Sequence, residues 1–267
     1  MRMLTKQGLW AALCIVGLLV CAPALAEWSE GEFNGALNWE GTVSHNSNPW
    51  EWAKDTFVPM HLLAKEAQTM SDGLSWSGLL KSAVLLKGHT KRYLPQGREG
   101  VVPVVEFGKG LEAFQLQWLG DGMARLSLPV MVDGGESAAG GRFSFVIRVA
   151  NTMIATQGQD RLGFSLYASA DGETRGNGLP ARAQALAGAK AWELNQRVFG
   201  PALHGWKDNR RDMELAPREQ LSRSDLTAVA GLYTAEVVEG SGELLLHSMA
   251  PGISRWSVPL PIQISYY

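Results

Sequence analysis

Beyond residue 21 the chain has no cysteine, because its two cysteines, Cys14 and Cys21, both lie near the N-terminus. That absence excludes a disulfide framework, a thiol nucleophile and a cysteine zinc site from everything downstream. Histidine is scarce and scattered: His45, His61, His89, His204 and His247 include no pair with metal-ligand spacing. There is no G-x-S-x-G elbow and no phosphate-cradling P-loop. Glu30 and Glu32 are close neighbours, but they sit in a terminal strand pattern, where a catalytic cleft has no place. A two-carboxylate glycosidase stays formally open, since its acids need not be adjacent in sequence. The sequence is read as non-enzymatic, with no metal and no cofactor. It also lacks internal repeats and low-complexity linkers, which points to one domain.

What the N-terminus does contain is ordered. Arg2 and Lys6 precede the apolar run GLWAALCIVGLLVCAPALA, which ends at the small-x-small site Ala24-Leu25-Ala26. That order is a secretory signal peptide, removed over residues 1–26. Pro23 interrupts the run and a polar chain follows it, unlike a membrane anchor. Removal takes two basic residues from the total of 24 and no acidic ones, leaving 22 against 26 and a net charge of −4. Nucleic acid is therefore not an expected partner. The remaining 241 residues of the 267 suffice to bury a core without disulfides.

A strand pattern stands at each end of the exported chain. In EFNGALNWEGTVS, residues Phe33, Gly35, Leu37, Trp39, Gly41 and Val43 share one parity. Two glycines among six inward positions notch that face. Such a strand either carries bulges or slides into a groove whose floor rises at those points. At the C-terminus, RWSVPLPIQISYY places Trp256, Val258, Leu260, Ile262, Ile264 and Tyr266 on one face and polar or proline residues on the other. Pro259 and Pro261 lose their N–H groups on the same lateral side, weakening any ladder there. This is either an ordinary edge strand or one handled by another protein.

Between the ends, strands are predicted at 82–88, 101–108, 113–120, 124–132, 143–151, 163–169, 228–239 and 242–249, separated by Gly, Asp and Asn turns. The spacing predicts an all-β sandwich. One segment departs from it: from Pro180 to Gly200-Pro201, Ala187, Ala191, Leu194 and Val198 recur at helical spacing, predicting a helix of about five turns. The loop before it, ASADGETRGNGLP, mixes charge, amide and glycine and is either a solvated turn or a recognition loop. Trp50 and Trp52 alternate in PWEWAKD, and Trp206 follows the helix. Indole faces pack cores or stack on sugars, so a carbohydrate-binding reading is carried beside a packing one.

The segments EWSEGEFNGALNWEG, WEW, LLKGHTK, FG past the helix and above all RWSVPLPIQISYY resemble the FaeG-type fimbrial subunits, the major and minor subunit family of chaperone-usher pili. Tyr266 matches a penultimate tyrosine carried by many pilins. The resemblance implies an incomplete immunoglobulin-like β-sandwich that lacks its last strand and is completed by donor-strand exchange, with an inserted helical segment near 180–200. Residues 27–44 would be the donor extension and 45–267 the pilin domain. A periplasmic pilus chaperone would pair with the C-terminal strand, an outer-membrane usher would export the subunit, and neighbouring fimbrial subunits would replace the chaperone in the fibre. The resemblance also implies a sugar-binding surface beside the helical insert, with Asp171, Glu173, Arg175 and Asn177 as positional candidates for a host glycoconjugate. The expected product is a fimbrium on the cell surface, reached through the periplasm. The alternative is a free exported carbohydrate-binding sandwich that does not polymerise.

Overall fold

The computed structural model describes residues 49–132, 140–169, 176–200, 213–247 and 255–267. Asn46–Tyr267 forms one compact unit. In chain order its strands are β1 Trp50–Ala53, β2 Gln68–Met70, β3 Gly73–Ser77, β4 Ala83–Thr90, β5 Pro103–Phe107, β6 Gln115–Gly120, β7 Met123–Val132, β8 Gly141–Gln157 and β9 Asp160–Tyr167. A helix, α1 Gly188–Phe199, comes next, then β10 Glu214–Pro217, β11 Thr227–Val237, β12 Glu243–His247, β13 Trp256–Ser257 and β14 Ile262–Tyr266. The protein is an all-β, immunoglobulin-like sandwich whose sheets do not close.

Strand β8 organises the molecule. Its first half is flanked by β7, with Leu126 opposite Phe145, and by β12, with Leu244 opposite Phe143. Its second half is flanked by β11 and by β9, with Asn151 opposite Tyr233 and Met153 opposite Phe164. Since β7 and β12 meet the same residues of β8, they lie on opposite edges of it, and so do β11 and β9. The odd residues of β8, Phe143 to Met153, point into the main core with Leu126, Leu128, Tyr233 and Leu244. From Val149 to Ala155 both faces of β8 are buried, because Ala150, Thr152 and Ile154 face the helix. The sequence expectation stopped this strand at 151. The alternation on which that expectation rests disappears where a strand is covered on both sides.

All eight strands expected between the ends are present, with shifted bounds. The helix is shorter than expected: 12 residues, about three turns. Ala191, Leu194 and Trp192 are buried under it, whereas Ala187 is exposed at its N-cap. Residues 180–187 are instead held against the sheet. The Ala168 amide donates to the Pro180 carbonyl (2.9 Å), the Gly122 amide to the Gln184 carbonyl (2.7 Å), and the buried Ser165 hydroxyl to the Leu186 carbonyl. Those tertiary bonds claim the backbone that a longer helix would use internally, and tertiary context overrides propensity. Gly188 follows with φ +57°, a left-handed conformation that glycine adopts without steric cost.

Candidate functional site

The C-terminal strand alternates as its sequence requires: Trp256, Val258, Leu260, Ile262, Ile264 and Tyr266 are half-buried against the main core, while Arg255, Ser257, Pro261, Gln263 and Ser265 are exposed. Strand β14 pairs antiparallel with β5, Ile262 opposite Phe107 and Tyr266 opposite Pro103, and β13 pairs with the end of β7. The final turn of the ladder fixes its orientation. The Tyr267 amide donates to Val102 (3.3 Å), the Val102 amide to Tyr267 (3.1 Å) and the Gly108 amide to Pro261 (2.8 Å). The odd-numbered residues from Pro261 to Tyr267 therefore aim their backbone polar groups at β5, and Pro261 belongs to that edge.

This refines the reading of the prolines. Pro261 thins that edge by its missing N–H, although it still contributes its carbonyl there. Among the described residues, the amides of Val258 and Leu260, between β13 and β14, donate no hydrogen bond. An edge with unclaimed amides beside apolar side chains is a template for a further strand.

Beside it lies an apolar groove of about 650 Å³. Its floor is formed by Leu85 of β4, Leu128 of β7, Phe143 and Phe145 of β8 and Val237 of β11. One wall is Trp256, Val258 and Leu260, and the other is the non-strand segment Phe57 to His61. That second wall was not singled out from the sequence, although FVPMHLL is an apolar run with no partnering pattern. Phe57 is 46% and Val58 80% exposed, so this wall presents apolar surface to solvent beside the apolar floor.

Aromatic residues brace the back of the C-terminal strand. The Trp52 indole donates to the Tyr266 hydroxyl at 2.7 Å, and Trp50 donates to the Val101 carbonyl at 2.7 Å. Trp50 and Trp52 stack at 5.4 Å, and Trp52 leans on Tyr233 at 5.6 Å. Their shared strand face is thus a packing face, and both indoles are committed to it. Trp206 lies outside the described residues.

The donor-strand positions Phe33, Gly35, Leu37, Trp39, Gly41 and Val43 lie outside the described residues, as do Asp171, Glu173 and Arg175. Asn177 is described, and its amide is already in use: Oδ1 accepts from the Phe107 amide (2.6 Å) and Nδ2 donates to the Phe107 carbonyl (2.8 Å). It extends the β5 ladder as another strand would. Among the described residues no group of three His, Cys, Asp or Glu side chains is placed to hold a metal, and no helix is long and apolar enough to cross a membrane.

The model of a family described as "Fimbrial, major and minor subunit" matches residues 6–267. The K88 minor fimbrial subunit FaeI of Escherichia coli is 32% identical over 256 residues, spanning 95% of this chain and 97% of that protein.

Proposed function

The chain belongs to the fimbrial major and minor subunit family, a family of cell-surface structural subunits and not of enzymes, and from that premise we propose that it polymerises by donor-strand exchange. The observation that carries the reading is the apolar groove between residues 57–61 and 255–260, bordered by the unclaimed amides of Val258 and Leu260. A strand laid there would gain main-chain bonds along one edge and bury alternate side chains on Phe143, Phe145 and Leu128. Residues 27–44 of a neighbouring copy or subunit supply such a strand, with Leu37, Trp39 and Val43 inward and Gly35 and Gly41 over the high points of the floor. Before assembly a periplasmic chaperone occupies the same groove and hands the subunit to an outer-membrane usher, after a signal peptide over residues 1–26 has directed export.

Size measurement of the purified chain, with and without a co-expressed periplasmic chaperone, tests this. The expected result is polymer, strand-swapped oligomer or aggregate without the chaperone, and a soluble one-to-one complex with it. A stable monomer that retains residues 27–44 sinks the proposal.

The subunit also contributes to adhesion through the loop before the helical insert, where Asp171, Glu173 and Arg175 offer hydrogen-bonding groups for sugar hydroxyls. Asn177, held by Phe107, anchors the loop and keeps one Nδ2 proton and one Oδ1 lone pair for a sugar hydroxyl. Changing Glu173 and Arg175 together to alanine should lower attachment to glycolipid-coated surfaces at unchanged fibre number. Unchanged attachment makes the loop a solvated turn.

A further inference from the structure

The outward face of the sheet formed by β7, β8, β12 and β3 carries a second depression, unrelated to the groove. It has a volume of about 360 Å³ and adjoins another of about 380 Å³ that shares Ser127 and Arg142 with it. Both fall within the roughly 300–1,000 Å³ typical of small-ligand sites. The register builds the floor: Ser127 stands opposite Ser144, and Leu245 opposite Ser75, which is only 8% exposed. Small hydroxyl side chains at the centre of a sheet leave a bowl where larger ones would fill it.

The rim is charged. Arg125 and Arg142 line the same depression from its two ends, Arg142 standing opposite Pro129, four positions along β7 from Arg125. At ~3.3 Å per residue along the strand and ~5 Å across to the next, their Cα atoms are about 14 Å apart, with the serine pair between them. Glu243 and Asp72 complete the rim. A sheet normally places opposite charges across from one another. Here Arg125 faces Val146, Arg142 faces Pro129 and Leu245, and Glu243 faces Ser144 and Ser77. Among the described residues, neither arginine side chain has a hydrogen bond or ion pair, and the same holds for the carboxylates of Glu243 and Asp72.

We propose that this bowl binds acidic saccharides, a carboxylate lying between Arg125 and Arg142 over the serine hydroxyls. The guanidinium fork matches a carboxylate with two parallel hydrogen bonds. Hydroxyls of Ser75, Ser127 and Ser144 both donate and accept, as sugar hydroxyls do. Glu243 and Asp72 accept from further sugar hydroxyls and repel chains of dense negative charge, which disfavours nucleic acid and highly sulfated polymers. Among the described residues no tryptophan, tyrosine or phenylalanine lines the bowl, which favours a polar, charged ligand over a neutral sugar held by stacking. The proposal is independent of donor-strand exchange.

The test uses the chain as its soluble complex with a co-expressed periplasmic chaperone, immobilised on a sensor surface beside the chaperone alone as reference, with a glucuronate-containing hyaluronan tetrasaccharide and neutral maltotetraose as probes in 0.15 M NaCl. The hyaluronan fragment should bind and maltotetraose should not. Arg125→Ala and Arg142→Ala should each weaken binding at least tenfold, Arg142→Lys less, and Arg161→Ala, an exposed arginine on β9, not at all. These side chains are on the surface, and unchanged tryptophan emission checks that the variants fold. The idea is overturned by no binding at millimolar probe, by equal binding of maltotetraose, or by an equal loss in Arg161→Ala, which would mark general charge attraction.

Discussion

At the scale of single residues, the positions that hold the C-terminal strand are buried polar ones. Arg218 is 1% exposed, donates to the Tyr267 hydroxyl at 2.8 Å and lies over the Tyr267 ring at 5.6 Å. A buried guanidinium is tolerable only when hydrogen-bonded and paired, and Tyr267 with the neighbouring Glu219 carboxylate (3.3 Å) supplies part of that. Tyr233 is fully buried and donates to the Gly178 carbonyl at 2.8 Å. Burial pushes its phenol above the ordinary tyrosine range. In the unfolded chain the same phenol ionises near pH 10. Below that pH both states hold the proton and the group adds no pH dependence. Above it only the unfolded state releases the proton, so stability falls by up to about 1.4 kcal/mol per pH unit. Tyr233→Phe should therefore cost about 1 kcal/mol at neutral pH through the lost hydrogen bond and flatten the decline above pH 10, as read from urea midpoints between pH 8 and 11. An unchanged alkaline slope would mean that Tyr233 does not carry it.

At the scale of elements, the legible parts of the fold were those with local periodicity. The C-terminal strand, β4, β7 and β11 announce themselves by alternation or by β-branched runs between turn residues. Strands β2, β3 and β10 do not. The first is three exposed residues, and the last is a four-residue parallel partner of β9 that ends in Pro217. Short pairings of that kind are defined by a distant partner, which no local pattern encodes. The groove was legible only by half: its C-terminal wall and strand face were readable, whereas Phe57 to His61 has no period at all and becomes a wall only through packing. The serine bowl was invisible for a related reason, since Ser75, Ser127 and Ser144 come from three strands brought together by register.

The notched face of residues 33–43 supplies the prediction at this scale. Gly35→Leu or Gly41→Leu should leave the subunit's own fold intact and block its insertion into a neighbour, because overpacking a tight apolar slot costs about 1–3 kcal/mol. Fibre yield should drop at unchanged periplasmic subunit level. Normal fibres from both variants would remove these glycines from the groove.

At the scale of the molecule, an open groove means stability that depends on what fills it. A ligand that binds only the folded state stabilises it by mass action, about 2.7 kcal/mol at a hundredfold excess over Kd. A synthetic peptide of residues 27–44 should therefore raise the melting temperature of the chaperone-released subunit in a concentration-dependent way and shift the emission of Trp256, which lines the groove, to shorter wavelength. A peptide with the same composition in scrambled order should do neither. If both peptides act alike, the stabilisation does not come from a strand in register.

The length of β8 has a mechanical consequence. Its 17 residues run unbroken from the groove floor at Phe143 and Phe145 to the platform beneath α1 at Ala150 to Ile154. Force applied along β8 would load its ladders to β7, β12, β11 and β9 in shear, so that many hydrogen bonds share the force and must fail together. The same strand peeled from one end would give way bond by bond. Resistance to forced unfolding is set by the rate of that failure and not by equilibrium stability. A subunit with a modest melting temperature can thus still serve as a stiff link in a chain under tension.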